Sequence, residues 1–140
     1  MDFQAYNKIL ICDDQIQNLT VNSQIIAYEF KIKYPSYRGV YLSCIEDLQF
    51  KVDGQAVDAK NVYLLLNGKQ FLLNELKDLY KEYWFILDKA TVRIMQDGGI
   101  SAGQHSVNVF MRHKVPYTGY FGQYLVLDSN ETKTLPTESL

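Results

Sequence analysis

The sequence predicts an all-β chain: an antiparallel β-sandwich, jelly-roll-like, with one short helix. Three observations lead there. Most of the 140 residues read with a hydrophobic period of two. Asp53-Gly54 and Asn67-Gly68 are hairpin turns set close together, built from residue types that tolerate positive φ. No strand–helix–strand alternation supports a parallel sheet.

The elements follow in order. Residues 8–12 form a short apolar strand. Over 26–34, Ile26, Tyr28, Phe30, Ile32 and Tyr34 share one face, against Ala27, Glu29, Lys31 and Lys33 on the other. That is a half-buried antiparallel strand, and Pro35 ends it because proline cannot donate to the ladder. Leu48, Phe50 and Val52 alternate with polar residues over 48–53. After the Asp53-Gly54 turn the chain returns over about 55–59. A strand at 62–66 turns at Asn67-Gly68 into about 70–73. Over about 74–81 the period changes: Asn74 is a candidate cap, and Leu76, Leu79 and Tyr80 share one side of a short helix. Tyr83 to Leu87 is a strand around the single Trp84, and Ala90 to Gln96 is another. Asp97-Gly98-Gly99 turns. Ser106 to Val115 is the last clear strand, with Val107, Val109 and Met111 opposite Asn108 and Arg112. Residues 128–140 are polar and lack aromatics, and read as a loop or as an arm that orders on a partner. The division is one β-sandwich domain over 1–127 and a polar C-terminal tail. About eight short strands with frequent turns make the sandwich.

Composition narrows function. A net charge of −2 and no Lys/Arg run argue against a nucleic-acid binder. No apolar run approaches the roughly 20 residues of a membrane span. The opening MDFQAYNK has no secretory pattern, so cytoplasmic residence is expected. Cys12 and Cys44 form no C-x-x-C and read as buried free thiols. The unusual feature is 11 Tyr residues, which suit half-buried surfaces and interfaces as well as a β core.

A search for chemistry finds little. Ser43-x-x-Glu46 matches a capping box, but strand periodicity follows it, so at most one turn forms. Glu46 and Asp47 are adjacent and, on a regular strand, would point to opposite faces, leaving only one to face a pocket. His105 and His113 share a strand face, but eight residues span roughly 27 Å, too far for one metal site. Each reads as a hydrogen-bonded structural histidine or a lone catalytic one. The run from Gly99 to Gly103 lacks the G-K-[ST] ending of a phosphate loop and precedes a strand. Ser43, Cys44, His105 and Asp47 supply the residue types of a nucleophilic triad but no elbow to hold them. Arg38 and Arg112, two of three arginines, lie among Tyr37, Tyr41 and Tyr117. Arg beside Tyr is the composition of an interface hot spot, of a clamp on a polar aromatic ligand, or of a stacked loop.

Several pieces, in order, resemble one family. They are the run Tyr37-Arg38-Gly39-Val40-Tyr41-Leu42-Ser43-Cys44-Ile45-Glu46-Asp47, a Val52-Asp53-Gly54 turn, Asn67-Gly68, Trp84, and Gly98-Gly99-Ile100 with Gly103 and His105. Over about residues 26–117 the chain is similar to the small, β subunit of bacterial C-glycoside deglycosidases. Arg112 with Tyr117 is a looser form of that family's R-x-x-Y ending. The resemblance implies a two-component carbon–carbon lyase, with this chain inactive alone. It implies a larger TIM-barrel α subunit carrying a divalent metal of Mn or Mg type and the acid/base residues, with no cofactor in this chain. It implies one or several αβ pairs and a substrate near the subunit interface: a C-glycoside of a flavonoid or other polyphenol, already oxidised to a 3-oxo sugar. Its expectation for this chain is docking on the α subunit and ordering of its active-site loops. Tyr37, Arg38, Tyr41, Ser43, Glu46, Asp47, His105, Arg112 and Tyr117 would lie at the partner surface or pocket edge, with no catalytic residue here. Two other readings stay open. One is a stand-alone β-sandwich carbohydrate-binding module, with Tyr37, Tyr41 and Trp84 as its stacking platform. The other is a purely structural subunit.

Overall fold

The computed structural model describes residues 9–36, 38–115 and 125–137. Among them run β1 (Gln17–Val21), β2 (Gln24–Ile32), β3 (Val40–Tyr41), β4 (Ile45–Val52), β5 (Gln55–Ala56), β6 (Val62–Leu66), β7 (Lys69–Leu72), β8 (Tyr83–Trp84), β9 (Ala90–Met95), β10 (Gly103–Val115) and β11 (Leu125–Thr137). One sheet has the order β1-β2-β9-β6-β7 and the other β11-β10-β4-β5. All these named pairings are antiparallel. A third ribbon pairs β3 with β8. The all-β sandwich is therefore as expected.

Alternation builds the core between the sheets. Tyr28, Phe30 and Ile32 of β2, Val62, Leu64 and Leu66 of β6, and Val92 and Ile94 of β9 bury one inner face. Leu48, Phe50 and Val52 of β4 meet them with Val107, Val109 and Met111 of β10. Phe30 and Phe50 cross edge to face at 5.9 Å. Each fully buried aliphatic or Phe side chain contributes about 1.5–3 kcal/mol before the entropy of ordering it. The two hairpin turns form with positive φ at Asp53, Gly54, Asn67 and Gly68.

Several boundaries differ from the sequence expectations. At 9–12 there is a single bridge, Ile11 to Ile32, rather than a strand. β1 was not anticipated: its hairpin turns at Asn22-Ser23, where both residues take positive φ without a glycine. The return after Gly54 lasts two residues, because the Asp58 carboxylate accepts the Lys60 N–H at 3.1 Å and starts a 3-10 turn, Ala59–Asn61. The helix is a 3-10 segment, Leu73–Asp78; Leu72 sits at its cap and Asn74 lies inside it. β8 stops at Trp84, where Asp88 N–H donates to the Phe85 carbonyl and turns the chain.

The largest correction concerns residues 128–140. Through 137 they are not a loop or arm but most of β11, paired with β10 from Leu125 to Thr137. The apolar pattern is weak because inward positions are polar and bonded. Ser129 meets His113 at 3.1 Å. The Glu131 carboxylate accepts the Ile11 N–H at 2.7 Å. Lys133 donates to the Ile11 carbonyl at 2.9 Å and to Asp13 at 2.8 Å. Pro136 is tolerated because β11 is an edge strand. Leu135 is buried, so Leu135→Ala should cost about 2–5 kcal/mol in chemical denaturation. A change within about 0.5 kcal/mol, normal for an exposed tail, would show that β11 does not pack.

Candidate functional site

The segment after Pro35 splits into two surfaces. Tyr37 lies outside the described residues, as does Tyr117. Arg38 is exposed, and Gly39 lies so close to β8 that an added Cβ would sit 2.2 Å from the Trp84 carbonyl oxygen. No side chain fits there without moving backbone. That contact lets Val40–Tyr41 pair with Tyr83–Trp84. Tyr41 then meets Tyr83 edge to face at 5.0 Å, and Tyr83 meets Phe85 at 4.8 Å. Tyr41 is 48% exposed, Phe85 59% and Leu87 79%, so this aromatic ladder ends in an apolar surface patch. Tyr83, Phe85 and Leu87 were not singled out in the sequence. Their shared parity, opposite to Trp84, was the available signal.

Trp84 itself is fully buried, and its indole N–H donates to the Asp88 carbonyl at 2.9 Å. It cannot serve as a sugar-stacking platform, which removes that form of the binding-module reading. Ser43 lies in the single 3-10 turn Leu42–Cys44, and its backbone N–H donates to Leu79.

The second surface holds Glu46, Asp47 and Arg112. Arg112 is paired with Asp47, while His113 is already paired with Ile45. Glu46 is the extra residue of a bulge. Contrary to strict alternation, Glu46 and Asp47 therefore both line one shallow depression, of about 250 Å³. Asp47 accepts from Gln49 Nε2 at 2.7 Å. Arg112 forks onto Asp128 at 2.8 and 3.1 Å and lies 5.8 Å from the Phe110 ring centre. The guanidinium beside it lowers the Asp128 pKa.

His105 sits at the opposite end of β10 and is not brought to either surface. Its Nδ1 meets the Asp53 carboxylate and its Nε2 the Ser101 carbonyl, both at 2.7 Å. Burial alone would lower its pKa, but these two acceptors outweigh burial and raise it. Both nitrogens face acceptors, so the imidazolium satisfies the site best. It ties the Asp53-Gly54 turn to the 99–102 loop.

His113 is fully buried in the sandwich. Tyr34 lies 2.7 Å from its Nδ1 and Ser129 3.1 Å from its Nε2. Either neutral tautomer satisfies both contacts, because each hydroxyl can donate or accept. Tyr34 also packs on Trp84 at 5.7 Å. Both histidines are thus spent within the fold, and among the described residues no group of three His, Cys, Asp or Glu side chains is placed to hold a metal. These donors do not fit the divalent metal that the resemblance assigns to the larger subunit. Cys12 and Cys44 are free and buried, with burial raising both thiol pKa values. Among the described residues no helix is long and apolar enough to cross a membrane.

A family model described as C-glycoside deglycosidase beta subunit matches residues 6–117. The chain belongs to that family. It is 30% identical over 128 residues to the 3'-dehydrocarminate deglycosidase beta subunit of a Microbacterium species, covering 89% of this chain and 96% of the relative. It is 31% identical over 86 residues to a C-glycoside deglycosidase beta subunit of Eubacterium cellulosolvens, covering 61% and 58%. A further C-glycoside deglycosidase beta subunit, of Microbacterium trichothecenolyticum, is 28% identical over 128 residues, covering 90% and 96%. The family match spans the aromatic ladder and both histidines and stops before β11.

Burial depresses the His113 pKa from its ordinary 6.5 to about 4, with Asp128 opposing weakly. Between these values the unfolded chain binds a proton that the folded chain refuses. Its contribution is therefore complete above pH 6.5 and lost as pH falls to about 4, a total of about 3 kcal/mol. His105 runs the other way, its contribution being present below pH 6.5 and lost as pH rises. Denaturant titrations should show stability falling between pH 6.5 and 4, with most of that fall absent in His113→Asn. An identical fall in the variant would assign it to other groups.

Proposed function

We propose that this chain is the accessory β subunit of a heteromeric C-glycoside deglycosidase. It docks on a metal-dependent TIM-barrel α subunit and orders that subunit's active site. The observation that carries this reading is the family match over residues 6–117. It is supported by a relative, matched over 96% of its length, whose name denotes a beta subunit acting with a deglycosidase.

The reaction is cleavage of the C–C bond between a 3-oxo-glucosyl group and a polyphenol aglycone of flavonoid type. The oxo group acidifies the hydrogen at C2. A base on the α subunit removes that proton, the electron pair forms a C1–C2 double bond, and the bond from C1 to the aglycone breaks. The aglycone carbon takes up a proton as it leaves, and its phenolic ring spreads the developing charge. A divalent metal held by the α subunit would polarise the ketone. This chain's part is to cover the site against water and hold the loops around it.

The docking surface in this reading is the Tyr37 to Asp47 segment, extended by the aromatic ladder. Tyr41, Tyr83 and Phe85 present rigid aromatic area beside Arg38, the composition of an interface hot spot. Binding unaided to sugar on a Tyr–Trp platform is the weaker alternative, since Trp84 is buried. Phe85→Ala and Arg38→Ala should each weaken association with the α subunit about tenfold or more, measured by titration calorimetry, with the thermal midpoint of the chain unchanged. Intact affinity and turnover in both variants would remove this segment from the docking surface.

A further inference from the structure

The loop that joins β9 to β10 is held by side chains from outside it. Three consecutive backbone carbonyls each meet a donor from a different place in the fold. The Gly99 carbonyl accepts from Gln96 Nε2 at 2.8 Å and that of Ile100 from Asn18 Nδ2 at 3.0 Å, while that of Ser101 lies 2.7 Å from His105 Nε2. Asn18 Oδ1 also accepts the Ile100 N–H at 2.9 Å, so Asn18 grips that residue by both backbone groups. Ile100 packs against the core, and a Cβ added to Gly99 would collide with the Asn18 amide. This end of the loop is tightly seated. The other end is not. Ser101 and Ala102 are exposed. Gly103 takes a φ of +123° with open space where a Cβ would stand, a hinge at which the chain turns freely. His105 is what ties this end down.

The three donors differ in their response to pH. The amides of Asn18 and Gln96 do not titrate, whereas an imidazole changes charge near neutral pH. The β4–β5 turn sets Asp53 Oδ2 2.7 Å from His105 Nδ1. The loop supplies the Ser101 carbonyl. β11 sets Leu135 opposite His105, and Glu131 and Lys133 further along that strand are engaged with Ile11 and Asp13. Asp53 is therefore the charge that acts on the ring. Burial lowers the His105 pKa, but the bonds to Asp53 and Ser101 together carry it above 6.5. Neither partner can donate, so the contacts at both nitrogens need the doubly protonated ring. A neutral ring has one proton for two acceptors. A hydrogen bond to a charged group is roughly twice as strong as one between neutral groups, so the proton stays on Nδ1, facing the carboxylate. Nε2 and the Ser101 carbonyl then meet as two acceptors.

We propose that His105 is a pH-operated latch: its imidazolium holds Ser101 against the rim of the sandwich, and loss of the Nε2 proton releases residues 101–103 about Gly103 while Asn18 and Gln96 keep Gly99 and Ile100 seated. The latch is closed below pH 6.5 and opens as pH rises through the raised pKa of the folded state. It is complete within this chain and does not rest on the docking reading.

The test uses the full chain alone, labelled with ¹³C and ¹⁵N and followed by NMR as pH is raised through neutrality. The His105 ring nitrogens report protonation and tautomer. Order parameters are read at the Cα–H bonds of residues 99–103, which do not exchange with water. The ring should titrate above pH 6.5, and its neutral form should carry the proton on Nδ1. Over the same pH range the order parameters should fall from about 0.85 to below about 0.6 at residues 101–103 and stay high at 99 and 100. His105→Gln should abolish this pH dependence. Asp53→Asn keeps the turn, since Asn-Gly suits it as well, and should move ring titration and loop release together to lower pH. That variant keeps the test valid if loss of His105 disturbs the fold. Order parameters that stay constant while the ring titrates, a neutral ring protonated on Nε2, an unchanged pH dependence in His105→Gln, or an unmoved release in Asp53→Asn would each overturn the proposal.

Discussion

Everything in this chain leans on the double pairing of β10. Its thirteen residues pair with β11 along one side, and residues 107–113 also pair with β4 along the other. Its inner positions, Val107, Val109 and Met111, are fully buried against the facing sheet. Its outer positions, Asn108, Phe110 and Arg112, line a groove on the other side of the sheet. One strand therefore carries core and surface at once, which a period of two makes possible. A slip by one residue would exchange the two faces completely. Two histidines guard against that. His113 is bonded to Tyr34 and Ser129 inside the sandwich, and His105 to Asp53 and Ser101 near its rim. Their pKa values shift in opposite directions, up at His105 beside the Asp53 carboxylate and down at buried His113.

Two surfaces of different character remain. The β3–β8 ribbon lifts an aromatic ladder into solvent at one end, and it forms only because Gly39 lets the two backbones touch. Exposed Phe85 and Leu87 have no role in the core and suit a partner's surface. The outer face of the β10 sheet carries a groove lined by Gln49, Asn108, Phe110, Arg112 and Asn130.

Much of the fold was legible in the sequence. Asp53-Gly54, Asn67-Gly68 and the alternations through Phe30, Phe50, Val92 and Val109 signal their own structure, because each inward side chain there is apolar. β11 was not legible. Its inward positions include Ser129, Glu131 and Lys133, and each is satisfied by a partner distant in sequence. Polarity alone then reads as a tail. The Asn22-Ser23 turn was missed because neither residue is glycine, although both take positive φ. The site was half legible. The run from Tyr37 to Asp47 drew attention for its residue types, but alternation separated Glu46 from Asp47 where a bulge brings them together. Arg112 was read with Tyr117, whereas its carboxylate partner, Asp128, sits directly across the strand pair. Cross-strand neighbours depend on register, and register between distant segments is not written in either segment by itself.

The measurement that tests the central claim most directly is size-exclusion mass together with turnover of a 3-oxo-C-glucoside, for this chain alone and after co-expression with the proposed TIM-barrel α subunit. The account predicts stable co-elution, with cleavage by the complex and none by this chain alone. A monodisperse chain that ignores the barrel while the barrel cleaves the substrate unaided would contradict it.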